Sequence, residues 1–265
     1  MLRTTANLAT LFLTTTLASS VHAEIKTQSV TYQIDAQPFE GTLVFDTAKP
    51  NLPGLLMVPN WMGPTPQSLE QAIEIAESGY VVFMADMYGT AIRPTNADEA
   101  GKAATTVRAD RPMMRKRAKA ALDQLTGHAS TTGMNLKQVG AIGFCFGGGS
   151  VLELARSGEP LTGVVSFHGN LDTPNPADAK NIKTPLLVLH GADDPYVPAE
   201  QVQAFEAEMR ATQVDWQLVS YGGTVHSFTD KYAAAKGQAE YNPRSAARAF
   251  RAMNDFFQER FASRP

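Results

Sequence analysis

The chain's only cysteine, Cys145, stands in Gly143-Phe144-Cys145-Phe146-Gly147-Gly148-Gly149. A β-branched and aliphatic run, residues 139–142, precedes this segment, and the helical Ser150-Val151-Leu152-Glu153-Leu154 follows it. A G-x-C-x-G between strand and helix describes a tight turn whose small neighbours lift the central side chain clear. A thiol there meets the positive end of a helix, which favours thiolate, and backbone N–H groups that can receive a developing oxyanion. The plain alternative is an ordinary buried cysteine over a tight turn or a phosphate loop. Against the phosphate loop, the glycines do not follow G-x-G-x-x-G and no G-K-[ST] comes after them.

Two later segments hold the partners that such a nucleophile needs. Leu186-Leu187-Val188-Leu189 runs into His190-Gly191-Ala192-Asp193-Asp194-Pro195-Tyr196-Val197-Pro198. The strand-like 216–221 runs into Gly222-Gly223-Thr224-Val225-His226-Ser227-Phe228. In the α/β-hydrolase fold the nucleophile elbow is G-x-S-x-G, and the order along the chain is nucleophile, acid, histidine. Each candidate lies just past the carboxyl end of a strand, where open α/β sheets bind ligands. Taken singly, Asp194 reads as a turn former and His226 as a loop histidine. Taken in order they describe acyl transfer, with Cys145 as nucleophile, His226 as base and Asp194 fixing the imidazole tautomer. The oxyanion donors would be the Phe146 N–H and one after the third strand, where Trp61 is the best candidate.

The elements that must position these residues alternate. Residues 29–35 and 39–46 read as two strands joined by a short turn. Residues 55–58, 80–85, 139–142, 164–167, 186–189 and 216–219 are continuous apolar runs, as expected of strands buried on both faces. Helical stripes lie between them. They are Leu69, Ala72, Ile73 and Ala76, stopped at Gly79; Met114, Ala118, Ala121, Leu122 and Leu125, opened by Asp110 and Pro112; Val202, Phe205 and Met209; and Phe250, Met253, Phe257 and Phe261, begun at Asn242-Pro243. The expectation is one α/β domain over residues 24–265, with a mostly parallel sheet of about eight strands, helices on both faces and no large cap. Residues 89–111 read as an irregular polar excursion. The cations Arg111, Arg115, Lys116, Arg117 and Lys119 read as the solvated face of a helix, with anion binding as the minority reading.

The chain resembles the dienelactone hydrolase family of α/β-hydrolases. The resemblance rests on Gly143-Phe144-Cys145-Phe146-Gly147-Gly148, the 191–198 turn and His226-Ser227-Phe228, with weaker echoes at 58–63 and 85–88. It implies Cys145 as nucleophile, Asp194 as triad acid with Asp193 the runner-up, and His226 as base. Well-studied members carry a Glu before the oxyanion-hole residue, which helps activate the thiol; here that place is Asn60. Their two carboxylate-binding arginines correspond to Asp230 and Thr90, with Arg93 the nearest stand-in. The resemblance therefore implies the fold and a hydrolytic triad but not dienelactone as the substrate. Asn60, Tyr88, Arg93, His168 and Ser227 are the residues expected around the substrate.

Composition narrows the rest. Twenty-three Lys and Arg against 26 Asp and Glu give a net charge of −3, without the basic field of a nucleic-acid binder. One cysteine excludes an intramolecular disulfide, a Cys-rich zinc module and a dithiol motif. Met1-Leu2-Arg3, a Thr-rich apolar stretch and Val21-His22-Ala23 read as a secretory signal over 1–23, with export to the periplasm of a Gram-negative host or secretion otherwise. The expected substrate is a small ester or lactone, with no cofactor, no nucleic acid and no membrane partner. Two rival readings stand beside the hydrolase. One is a non-catalytic ligand binder on the same fold, and the other is a metal site through His168, His190, Asp172 and Asp193.

Overall fold

The structure, a computed structural model, describes residues 24–262. The leader read over 1–23 lies outside the described residues. Eight strands form one sheet: β1 (Ile25–Ile34), β2 (Gln37–Asp46), β3 (Pro53–Val58), β4 (Val81–Met84), β5 (Asn135–Phe144), β6 (Val164–Phe167), β7 (Leu186–Gly191) and β8 (Trp216–Tyr221). Their spatial order is β1-β2-β4-β3-β5-β6-β7-β8. The first hairpin joins β4 antiparallel, and every pairing from β4 to β8 is parallel. The fold class agrees with the sequence pattern, and so does the placement of every helix read from it.

The helices are α1 (Pro66–Glu77), α2 (Ala97–Ala109), α3 (Arg111–Gly127), the short α4 (Ala129–Thr132), α5 (Phe146–Arg156), α6 (Ala199–Arg210) and α7 (Pro243–Ala262). Alternate residues of the central strands feed two cores. Leu56, Val58, Ala141 and Val188 meet α2, α3, α5 and α6, whereas Leu55, Met57, Ile142 and Leu187 meet α1 and α7. Phe257 of α7 seats against the sheet because β5 offers Gly140 beneath it; a Cβ there would lie 2.4 Å from the ring. Burying one such ring contributes about 3 kcal/mol.

Three readings need correction. Residues 97–109 are helical, not irregular. Asn96 caps the helix by accepting from the Glu99 N–H at 3.0 Å, and the Glu99 carboxylate returns to the Thr95 N–H at 2.8 Å. The buried stripe is Ala100, Ala103, Ala104 and Val107, so its spacing is helical but its residues are too small to register as apolar weight. β8 is an edge strand with one face open, unlike the fully buried runs before it.

The cations of α3 are the third correction. Arg111 is 7% exposed and pairs with Asp172 at 2.8 Å. Arg115 reaches Glu153 and Asp178, both at 2.7 Å, and Arg117 donates to the Met87 carbonyl at 2.8 Å while lying over the Phe39 ring. Only Lys116 and Lys119 keep the solvated character expected of the whole face, pairing at the surface with Asp35 and Asp123. The arginines instead clamp α3 to α5 and to the loop after β4, next to the site described below.

Candidate active site

Cys145 joins β5 to α5 with φ 53° and ψ −117°, a left-handed conformation that strains an L-residue. The glycines make that turn possible. A Cβ on Gly143 would lie 2.0 Å from the Gly147 carbonyl oxygen, and one on Gly147 would lie 2.0 Å from the Val58 oxygen. With Val58 in register with Gly143, the ends of β3 and β5 bring Asn60-Trp61 beside the cysteine. The Cys145 N–H is shared between the Phe167 carbonyl at 3.0 Å and His168 Nδ1 at 3.2 Å.

His226 lines one cavity with Cys145, and its charge and hydrogen bonding act on the thiol together with the Phe146 N–H. His226 Nδ1 lies 2.7 Å from Asp194 Oδ2, and Asp194 Oδ1 accepts from the Tyr196 N–H at 2.8 Å. Asp194 is buried, whereas its neighbour Asp193 points to solvent. Tyr196 also stands edge-on to the imidazole at 5.1 Å.

Charge follows this geometry. Burial alone pushes the thiol up, but the His226 charge, its hydrogen bond, the Phe146 N–H and Arg108 outweigh it and leave Cys145 below its ordinary value. Burial alone pushes His226 down. The Cys145 thiolate and the hydrogen bond to Asp194 reverse that and carry it to about 10. Both shifts favour a thiolate–imidazolium pair at neutral pH.

A cavity of ≈ 320 Å³ opens on Cys145 and His226 between Trp61, Phe146, Tyr196 and Arg108. Ser227 lines it and also a second cavity of ≈ 200 Å³, and Asn60 and His168 line that second cavity. Tyr88 is buried and does not line either cavity. Its hydroxyl donates to the Trp61 carbonyl at 2.7 Å and its ring packs on Phe146, so it supports both expected oxyanion residues from behind. Arg93 is also displaced from its expected role: it pairs with Asp86 at 2.9 Å and donates to the Gly89 carbonyl at 2.7 Å, tying down the loop after β4. Asn60 accepts from the Met62 N–H at 3.0 Å and so shapes the turn that presents Trp61. Thr90 is exposed, its N–H taken by the Pro38 carbonyl, and Asp230 lies in the second cavity.

The proposed metal set does not converge. Both nitrogens of His168 are engaged, Asp172 pairs with Arg111, and Asp193 faces solvent. Among the described residues no group of three or more His, Cys, Asp or Glu side chains is arranged to hold a metal ion.

Arg108 is the functional candidate that sequence reading missed. It projects from α2 into the cavity of Cys145, its Nε is buried without a hydrogen-bond partner, and it joins no ion pair among the described residues. Its signal lay in the Asn96 cap and the alanine stripe, which together define the helix that carries it.

The comparisons agree with this geometry. The profile of the Dienelactone hydrolase family matches residues 39–261. A solved dienelactone hydrolase-like promiscuous phosphotriesterase from metagenomic libraries is 38% identical, with 90% of this chain and 99% of that one covered and a TM-score of 0.83. The solved structure of m3DLH is 36% identical, with coverage of 89% and 98% and a TM-score of 0.82. A Bradyrhizobium protein named "Probable 2-oxo-3-(5-oxofuran-2-ylidene)propanoate lactonase" is 28% identical over 207 residues, covering 72% of this chain and 81% of the relative. With the elbow, the sheet order and a match over most of its length in agreement, this chain belongs to the dienelactone hydrolase family of ester and lactone hydrolases.

Proposed function

We propose that this protein cleaves small carboxylic esters or lactones through a Cys145-His226-Asp194 triad and an acyl-enzyme. The observation that carries the reading is that His226, bonded through Nδ1 to Asp194 at 2.7 Å, lines the same cavity as the strained Cys145 elbow. The Cys145 thiolate attacks the carbonyl carbon, and the oxyanion forms opposite the N–H groups of Phe146 and Trp61. Collapse of the tetrahedral intermediate breaks the ester C–O bond, and the His226 imidazolium gives its proton to the departing oxygen. Neutral His226 then takes a proton from water, the hydroxide attacks the thioester, and the thiolate leaves with the acid released. In a lactone the departing oxygen stays tethered to the acyl group. Because Asn60 offers no carboxylate, His226 is the chief group that keeps the thiol ionised, helped by the Phe146 N–H and Arg108.

The test is the mass of the protein after rapid quenching with an aryl ester. An acyl adduct on a Cys145 peptide is expected; turnover with no adduct there, together with full activity after iodoacetamide labelling of Cys145, defeats the reading.

The cavity also favours one kind of acyl group. Trp61, Phe146, Tyr196 and Val197 supply flat apolar walls, and Arg108 supplies an unpaired guanidinium. This combination suits an aromatic or alicyclic ester bearing a carboxylate. A charge-assisted hydrogen bond is worth about 1.5–3 kcal/mol, so Arg108→Gln is expected to raise KM for a carboxylated aryl ester by about tenfold or more. The neutral parent ester should change far less, since Arg108 is the smallest of the influences on the thiol. Equal losses on both substrates count against this assignment.

A further inference from the structure

We infer that His168 and Thr229 form a positioning pair that holds the backbone of Cys145 in its reactive orientation, an inference that rests on Cys145 being the nucleophile. His168 directly follows β6 and is 2% exposed, with its ring edge-on to His226 at 5.3 Å and to Phe228 at 5.1 Å. Its Nδ1 lies 3.2 Å from the Cys145 nitrogen, and its Nε2 lies 2.7 Å from Thr229 Oγ1. A backbone N–H can only donate. His168 Nδ1 must therefore present a lone pair, and the ring proton must sit on Nε2. Thr229 Oγ1 then accepts that proton's hydrogen bond and locks the tautomer. Burial, and after it the charge of His226, keep the ring neutral, as an accepting Nδ1 requires.

The consequence reaches the sulfur through the backbone. Cys145 (φ 53°) and His168 (φ 38°) both hold left-handed conformations, which persist only where the surroundings over-determine them. The Phe167 carbonyl and His168 Nδ1 receive the same Cys145 N–H from adjacent residues, which fixes the peptide plane from which the thiol projects. The other tautomer would set Nδ1–H against that N–H, donor against donor. Thr229 lies three residues after His226, so one loop sets both the base and the orientation of the nucleophile it serves.

The test compares Thr229→Val, which removes the acceptor, with Thr229→Ser, which restores it. Valine is expected to lower kcat for an aryl ester by about tenfold or more with KM within about threefold, because a misdirected nucleophile reacts slowly but binds normally. Serine should recover most of that loss. In two-bond 1H–15N spectra of the unmodified protein, His168 should show a protonated Nε2 and a bare Nδ1 at neutral pH. A protonated Nδ1, or a folded Thr229→Val variant with unchanged kcat, overturns the inference. The spectrum decides the matter even where the valine variant fails to fold. Iodoacetamide labelling separates the two readings. Labelled Cys145 with activity intact removes the nucleophile, whereas loss of activity on labelling beside an unaffected Thr229→Val removes only the positioning pair.

Discussion

Cys145→Ala is expected to lower aryl-ester turnover by about 10⁴-fold or more, since a triad without its nucleophile retains only the catalysis of its oxyanion donors and binding site. The fold should survive. Alanine keeps the Cβ that the left-handed turn already accommodates, and the contacts that shape the elbow are between backbone groups of Gly143, Gly147 and Val58. A second readout follows from charge. His226 is carried up to about 10 chiefly by the Cys145 thiolate, against a burial effect that pushes it down. Without the thiolate, burial opposes only the hydrogen bond and the charge of Asp194, so the His226 proton should leave at lower pH in the alanine variant. In the unmodified protein the thiolate–imidazolium pair persists from the depressed thiol value up to about 10. Activity should therefore rise with pH through the first of these and fall through the second. NMR titration of the imidazole and a pH–rate profile check both statements. An alanine variant that keeps its turnover would remove Cys145 from the mechanism.

The parts of this site that were legible in the sequence are those that one short segment determines by itself. The elbow is written in Gly143, Cys145 and Gly147 because a Cβ on either glycine would lie 2.0 Å from a backbone oxygen, so no other residue fits there. The order of Cys145, Asp194 and His226 was legible because parallel strands deliver successive loops to one edge of the sheet. The buried strands announced themselves as continuous apolar runs for the same reason. The choice of Asp194 over Asp193 came from the family resemblance, and of the two it is Asp194 that is buried and accepts from both Tyr196 and His226.

What sequence reading missed depended on contacts between distant segments. A stripe of three alanines and a valine carries little hydrophobic weight, yet in α2 it lets the helix approach closely enough for Gly101 to sit under the Trp61 ring and for Arg108 to line the cavity of the thiol. Arg111 and Arg115 of α3 looked solvated because their acidic partners, Asp172, Glu153 and Asp178, lie more than thirty residues away. Arg93 looked available for a substrate because nothing in its own segment reveals that Asp86 faces it. His168 ends a strand as structural histidines do, and only the fold brings Thr229 and the Cys145 N–H to its two nitrogens.

Asp194→Asn should be the second most damaging change, and its reason lies in the two hydrogen bonds that the carboxylate accepts. Oδ1 takes the Tyr196 N–H at 2.8 Å while Oδ2 takes His226 Nδ1–H at 2.7 Å. An amide has one oxygen. Bonded to Tyr196, it turns its NH₂ toward Nδ1, which must then accept, and the only proton of the neutral imidazole moves to Nε2, facing the sulfur. Such a ring cannot take a proton from the thiol, and the imidazolium would set Nδ1–H against an N–H donor. The loss is expected to be about 10³-fold in kcat. It falls short of the ~10⁴-fold seen when a hydroxyl nucleophile loses its aspartate, because a thiol ionises more readily by itself. The rate of Cys145 alkylation distinguishes this from simple unfolding: its pH midpoint should move up toward that of an ordinary thiol while the thermal transition stays cooperative. The exposed neighbour supplies the control, since the Asp193→Asn side chain meets neither Tyr196 nor His226 and should alkylate and turn over as the unmodified protein does. Equal effects at 193 and 194 would assign the losses to the turn as a whole and take Asp194 out of the proton path.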